Sequence, residues 1–155
     1  SESNVKIVLQ GAGPEKEKLQ ILSEKYRLKN VHFLEPVKKS EMPSILKAID
    51  IAVIPLKNLD LFRGAIPSKI FEALAMKKPL LLGVDGEAKK HFIDRAKAGR
   101  FYKPEDTESM KAQIIFMLEN KTDLEEMGVN AREYVSEVFD RNKIAGGLFD
   151  TLQNM

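Results

Sequence analysis

Short apolar runs alternate with amphipathic stretches along the first two thirds of the chain. Residues 5–9 form an apolar run closed by Gln10-Gly11-Ala12-Gly13-Pro14, which predicts a strand and a tight turn. Leu19, Leu22 and Tyr26 then recur at helical spacing. Residues 31–34 predict a second strand, stopped by Glu35-Pro36. Ser40 reads as the N-cap of a short helix carrying Ile45, Leu46 and Ile49. Residues 51–54 are a nearly continuous apolar strand ended by Pro55, and a loop runs from 56 to 66. A helix opens at Pro67-Ser68, with Ile70, Phe71 and Leu74 as its core stripe. Residues 79–82 predict a fourth strand, followed by Gly83-Val84-Asp85-Gly86 and a helix with Ala88, Phe92, Ile93 and Ala96. Residues 99–102 make a weak fifth strand.

After Pro104 the pattern is helical only. One helix starts at Thr107 and turns Met110, Ile114, Met117 and Leu118 inward. Thr122 and Glu125 have the spacing of a capping box for the next, which buries Leu124, Met127, Ala131, Tyr134, Val135 and Val138. Gly128 inside that pattern implies close packing, and Arg132 a structural role. A last helix carries Ile144, Leu148 and Leu152.

Apolar strands alternating with amphipathic helices predict an α/β fold: a Rossmann-like parallel sheet covered on both faces, with a helical C-terminal segment. Such sheets bind ligands beyond the carboxyl ends of their strands. The loops at 11–13, 35–38, 55–68 and 83–87 all lie at such ends, so four segments are expected on one edge.

Composition narrows the chemistry. At 155 residues the chain is one domain by length. Twenty-five Lys+Arg against 23 Asp+Glu leave +2, too balanced to point to nucleic acid. There is no cysteine, so no disulfide or thiolate metal site, and two histidines argue against a histidine-rich metal centre. No metal is expected. Neither a membrane-length apolar run nor a signal peptide is visible, so a cytoplasmic setting is the default. The opening Ser1-Glu2-Ser3 lacks an initiator Met and reads as the start of an excised fragment.

Candidate chemistry concentrates at the 67–79 stretch. Pro67 suits a first helical turn and Ser68 a cap. Lys69 near a helix N-terminus opposes the macrodipole, which makes sense if an anion sits there. Glu72 shares a face with Ser68 at i, i+4, although Lys69 and Glu72 also fit a solvated i, i+3 pair. Gly11 and Gly13 let a backbone approach a phosphate or simply turn the chain. The dinucleotide fingerprint needs a third glycine where Lys16 stands, while Glu35 lies about where a ribose-binding acid belongs. His32, in an apolar strand, reads as a hydrogen-bonded structural residue; His91 reads as solvated. Gly86-Glu87 reads as a helix cap, and Lys38-Lys39 as a surface loop.

The ordered series 9–14, 31–34, 48–55, 67–69 through Lys78-Pro79, and Met127-Gly128 through Arg132 resembles the C-terminal half of GT-B glycosyltransferases. The match is to the retaining family-4 type, the glycosyl transferases of group 1. The resemblance implies a nucleoside-diphosphate-sugar site, with Glu72 on the ribose hydroxyls. The loop from Gly64 and Ala65 to Ser68 would offer N–H groups to the diphosphate, with Lys69 adding charge. Gly11 and Gly13 would face an interdomain cleft, and Pro36 and Lys38 would frame the base. No cofactor is implied beyond the substrate, and no metal is required. Two departures stand out. Gly64 occupies the first position of the family's paired-glutamate motif, leaving Asp60, or the 85–87 stretch, as substitutes. The first strand-helix unit and the acceptor-binding N-terminal domain are absent, so 1–155 reads as one truncated domain.

The implied parent moves a hexose from a nucleoside-diphosphate sugar to a glycan or lipid-linked acceptor, with retention, near the inner membrane face. The isolated fragment would be inactive, with its missing N-terminal domain as natural partner. Three alternatives remain open at this point: a non-catalytic interaction module, a nonhydrolysing sugar-nucleotide epimerase, and an NAD-binding domain.

Overall fold

The computed structural model describes residues 5–154. The opening Ser1-Glu2-Ser3 lies outside them. The chain divides into two units, Ser1–Met42 and Pro43–Met155.

In the first unit, β1 (Ile7–Gln10) and β2 (Val31–Leu34) pair in parallel, Ile7 opposite Val31 and Gln10 opposite Leu34. Helix α1 (Lys16–Lys25) connects them. The apolar run of β1 is not enclosed: Ile7 is 43% exposed and Leu9 39%. Within this unit β1 has a single strand neighbour, and no described residue of the unit is buried. Ser40 does not cap a helix. It lies in a 3₁₀ turn (Lys39–Glu41) that leads into α2 (Met42–Ala48), and the Glu41 carboxylate accepts the Lys38 N–H at 3.0 Å.

The second unit holds a parallel sheet in the order β3 (Ala52–Pro55), β4 (Leu80–Gly83), β5 (Gly99–Phe101). Ala52 lies opposite Leu80, and Leu80 opposite Gly99. The expected single ladder is therefore hydrogen-bonded as two sheets among the described residues. β4 is the central strand and is buried on both faces, which is why its sequence is an unbroken apolar run. Leu80 and Leu82 face Ile70, Ala73 and Leu74 of α3 (Ser68–Ala75) in one core that also holds Phe92. Leu81 faces the other way, with Tyr102 and Met117. Each leucine so buried is worth about 1.5–3 kcal/mol.

The helix after β4 begins as one α turn, α4 (Glu87–Lys89), and widens into a π-helix over Lys90–Arg95. Three helices follow: α5 (Thr107–Glu119), α6 (Lys121–Val138) and α7 (Arg141–Gln153). Helix α5 starts at Thr107 as expected. Asp106 caps α5, accepting the Ser109 N–H at 2.9 Å, while Ser109 Oγ accepts the Lys103 N–H at 3.0 Å. Thr122 forms no capping box, because Asn120 holds the N-cap position and Thr122 lies inside the first turn of α6. Leu118 and Val138 remain partly exposed rather than enclosed, as do Ile144, Leu148 and Leu152 of α7.

Helix α6 lies against the end of α3 through two backbone contacts. Arg132 donates to the Ala75 carbonyl at 2.8 Å, the structural role expected of it. Gly128 sits so close to the chain after α3 that a Cβ there would meet the Lys77 carbonyl oxygen at 2.4 Å. Alanine favours a helix over glycine by about 1 kcal/mol, yet here the clash with backbone decides the sign. Gly128→Ala is expected to destabilise the fold by about 1–3 kcal/mol, read as a lower urea midpoint. An unchanged midpoint would mean that the Lys77 peptide moves aside freely.

Candidate functional site

The start of α3 presents free backbone donors and exposed charge. Pro67 (φ −58°, ψ 131°) is extended and takes the N-cap position, so Ser68 is the first helical residue and its side chain caps nothing. This corrects the expectation of Pro67 in the turn and Ser68 as cap. The consequence favours binding: the N–H groups of Ser68 and Lys69 have no partner among the described residues. Ser68, Lys69 and Glu72 are all exposed, on the face opposite buried Ile70, Ala73 and Leu74. No ion pair joins Lys69 to Glu72, so the solvated-pair reading finds no support in the geometry.

The preceding loop is less free than expected. A 3₁₀ segment spans Asp60–Gly64, and the Ala65 N–H is used internally, bonded to the Phe62 carbonyl at 3.0 Å. Gly64 is exposed, and a Cβ there would meet nothing within 4 Å. The substitutes for the acid missing at Gly64 are engaged locally: Asp60 lies 3.6 Å from Arg63, and Asp85 lies 3.9 Å from Lys89.

Two carboxyl-end loops of this unit do meet. Gly86 (φ 87°) is the N-cap of α4, and a Cβ there would fall 2.1 Å from the Arg63 carbonyl oxygen. Only glycine tolerates both that dihedral and that approach. Glu87 follows as the first helical residue, in keeping with the capping reading. The Lys90 ammonium, bonded to it at 2.8 Å, holds its carboxyl below the usual carboxylate range.

The two histidines exchange roles relative to expectation. His32 is exposed, because it alternates outward from Val31 and Phe33 along β2. His91 is half-buried. Its Nδ1 shares a 2.9 Å hydrogen bond with Tyr134 Oη, and its ring meets Phe139 edge-on at 5.3 Å. The helix pattern missed this because the partners come from α6 and the residue after it.

In the first unit, Gly11 adopts φ 130°, and the turn lines a cavity of about 240 Å³ with Gly13, Gln10 and Lys16. Lys16 stands where the dinucleotide fingerprint needs its third glycine, and its ammonium meets the Glu35 carboxylate at 2.6 Å. The would-be ribose acid is thus paired with the residue that breaks the motif, which counts against the dinucleotide reading. Pro36 and Lys38 are exposed beyond β2.

The sequence pattern marks Tyr102 only as the end of the weak fifth strand. It is 4% exposed and lies across Gly83, where a Cβ would meet its ring carbon Cζ at 2.2 Å. The glycine after an apolar strand was the available signal. Among the described residues no cluster of His, Cys, Asp or Glu has metal-site geometry, and no helix is long and apolar enough to cross a membrane.

Residues 1–134 match the sequence model of the family described as glycosyl transferases group 1. No curated protein sequence matches the chain. In structure it is similar to Anabaena Alr3699/HepE, solved in complex with UDP, at 20% identity and a TM-score of 0.75, over 97% of this chain and 41% of that one. Sucrose-phosphate synthase from Thermosynechococcus elongatus gives 20% identity and 0.78, over 96% and 39%. The catalytic domain of cholesterol-alpha-glucosyltransferase from Helicobacter pylori gives 19% and 0.67, over 85% and 78%. These likenesses establish the fold. The chain spans about two fifths of the first two proteins.

Burial pushes the Tyr102 phenol above its ordinary range. A raised folded-state pKa means stability that is intact below the unfolded value, about 10, and lost as pH rises through the folded one. In an alkaline absorbance titration, one of the three tyrosines is expected to ionise late, and Tyr102→Phe to abolish that late step. A late step that survives the substitution would assign it to another tyrosine.

Proposed function

The chain belongs to the glycosyl transferases of group 1 and has the fold of the C-terminal half of a GT-B enzyme, and from that premise we propose that it binds the nucleoside-diphosphate end of a sugar donor. The observation that carries this reading is the start of α3. Two unpartnered N–H groups, an exposed ammonium and an exposed carboxylate one turn on share a face whose reverse is locked into the core. The helix dipole, the Ser68 and Lys69 N–H groups and the Lys69 charge would meet the diphosphate. Glu72 would accept from the ribose hydroxyls. Within the first unit taken by itself, the Gly11 turn allows close backbone approach to a phosphate.

Such a site works by holding the donor and stabilising charge on the leaving diphosphate as the glycosidic bond breaks. In its full length the protein would transfer a hexose, with retention, to a glycan or lipid-linked acceptor. A cytoplasmic location at the inner membrane face suits that acceptor. The UDP in the Anabaena structure makes uridine nucleotides the first donors to test.

A non-catalytic module with the same fold is the second reading, favoured by one observation. Gly64 places no carboxylate where the family has its first acid, and Asp60 and Asp85 are drawn to Arg63 and Lys89. Sugar transfer by the full-length protein would exclude it.

Isothermal titration with UDP and GDP tests the donor-binding reading. Wild type is expected to bind one of them measurably. Glu72→Ala, an exposed position, should weaken that binding about tenfold or more, the worth of a charge-assisted hydrogen bond at about 1.5–3 kcal/mol. Equal heats for the two proteins would remove Glu72 from the site.

A further inference from the structure

Gly86, the N-cap of α4, adopts φ 87° and ψ −133°, a region open in practice to glycine alone. A Cβ there would overlap the Arg63 carbonyl oxygen and lie 2.8 Å from the Arg63 Cα and carbonyl carbon. The Arg63–Gly64 peptide therefore rests directly on the Gly86 backbone. Gly86 is itself held firmly. Val84 and Ala88, on either side of it, are buried in the core. Its carbonyl accepts the Lys90 N–H at 3.0 Å.

Arg63 lies in the 3₁₀ segment Asp60–Gly64, and only Ala65, Ile66 and Pro67 separate that segment from α3. Ala65 (φ −85°, ψ 136°) and Pro67 are extended. Three residues reach at most about 10 Å, so an extended link has little slack. The Ile66 side chain packs on the core. Gly86 behind the link and the core beneath it thus set the direction of the Ile66 N–H, which has no partner among the described residues. The free Ser68 and Lys69 N–H groups follow along the chain. Core packing of Ile70, Ala73 and Leu74 fixes the axis of α3. The course of the link in front of that axis depends on Gly86.

We propose that Gly86 is a positioning residue of the nucleotide site. By seating the Arg63 peptide it aims the Ile66 N–H at the diphosphate, beside those of Ser68 and Lys69. Gly86 touches no ligand itself. This role rests on the donor-binding reading and adds to it one donor, Ile66, and the residue that holds it. An alanine at 86 would push the Arg63 peptide outward by about 1 Å, and misplacement of that size can cost a positioned group up to about a hundredfold.

Amide NMR and nucleotide titration of Gly86→Ala test this. Gly128→Ala is the control, because its Cβ crowds the Lys77 carbonyl, beyond the far end of α3. Without nucleotide, Gly86→Ala is expected to shift the Ile66, Ser68 and Lys69 amide signals, and Gly128→Ala to leave them in place. In isothermal titration, folded Gly86→Ala should weaken UDP or GDP about tenfold or more. Unchanged core methyl signals serve as proof of its fold. Gly128→Ala should lower the urea midpoint and keep wild-type affinity. If Gly86→Ala does not fold, one glycine inserted after Gly64 slackens the link without a clash. That variant should weaken the nucleotide about tenfold at an unchanged urea midpoint. Unmoved amides in Gly86→Ala overturn the proposal. So does wild-type affinity in Gly86→Ala or in the insertion variant, or an equal loss of affinity in Gly128→Ala. Wild type without heat for either nucleotide sinks the donor reading itself. Equal affinity beside a wild type that binds sinks only the role of Gly86.

Discussion

Burial of β4 on both faces is the constraint on which the second unit depends. Leu80 and Leu82 commit one face to α3 and the π-helical segment, and Leu81 commits the other to Met117 and Tyr102. With both faces occupied, the strand cannot rotate or slip by one residue without carrying three leucines into the wrong layer. The positions of β3 and β5 follow by register. So does the place where each strand hands over to a loop.

Backbone crowding then sets the loops. The Arg63 carbonyl presses on Gly86, the Lys77 carbonyl on Gly128, and the Tyr102 ring on Gly83. Each contact joins elements distant in sequence at a distance where a methyl group has no room. Such approaches convert the stiffness of the core into stiffness at its edge, because a close-packed interior transmits displacement instead of absorbing it. The start of α3 benefits most. Its inner face is wholly buried, so its unpartnered N–H groups hold a fixed direction with no cap of their own.

Electrostatics at the edge is mostly local and self-neutralising. Asp60 turns to Arg63, Asp85 to Lys89, Glu87 to Lys90, and in the first unit Glu35 to Lys16. Exposed pairs of this kind add little stability, about 0–1 kcal/mol each, but they occupy carboxylates that are otherwise available to a ligand. Lys69 and Glu72, like Lys57, form no such pair among the described residues.

The sequence alone determined the class of fold and the order of strands and helices, because period-2 and period-3.6 patterns are local and burial selects between them. It located the Pro67 helix and its buried stripe, foresaw Gly128 and Arg132 as packing residues, and carried the family in the spacing of its motifs. Tertiary structure decided what local pattern does not encode. Whether Ser68 caps depended on the φ and ψ of Pro67, and whether His91 is solvated depended on Tyr134 arriving from α6. Pairing as two sheets, the engagement of Glu35 by Lys16, and the phenol laid across Gly83 are likewise contacts across many residues of chain. Each depends on which atoms a folded backbone brings within a few ångströms, and a one-dimensional pattern holds no record of that distance.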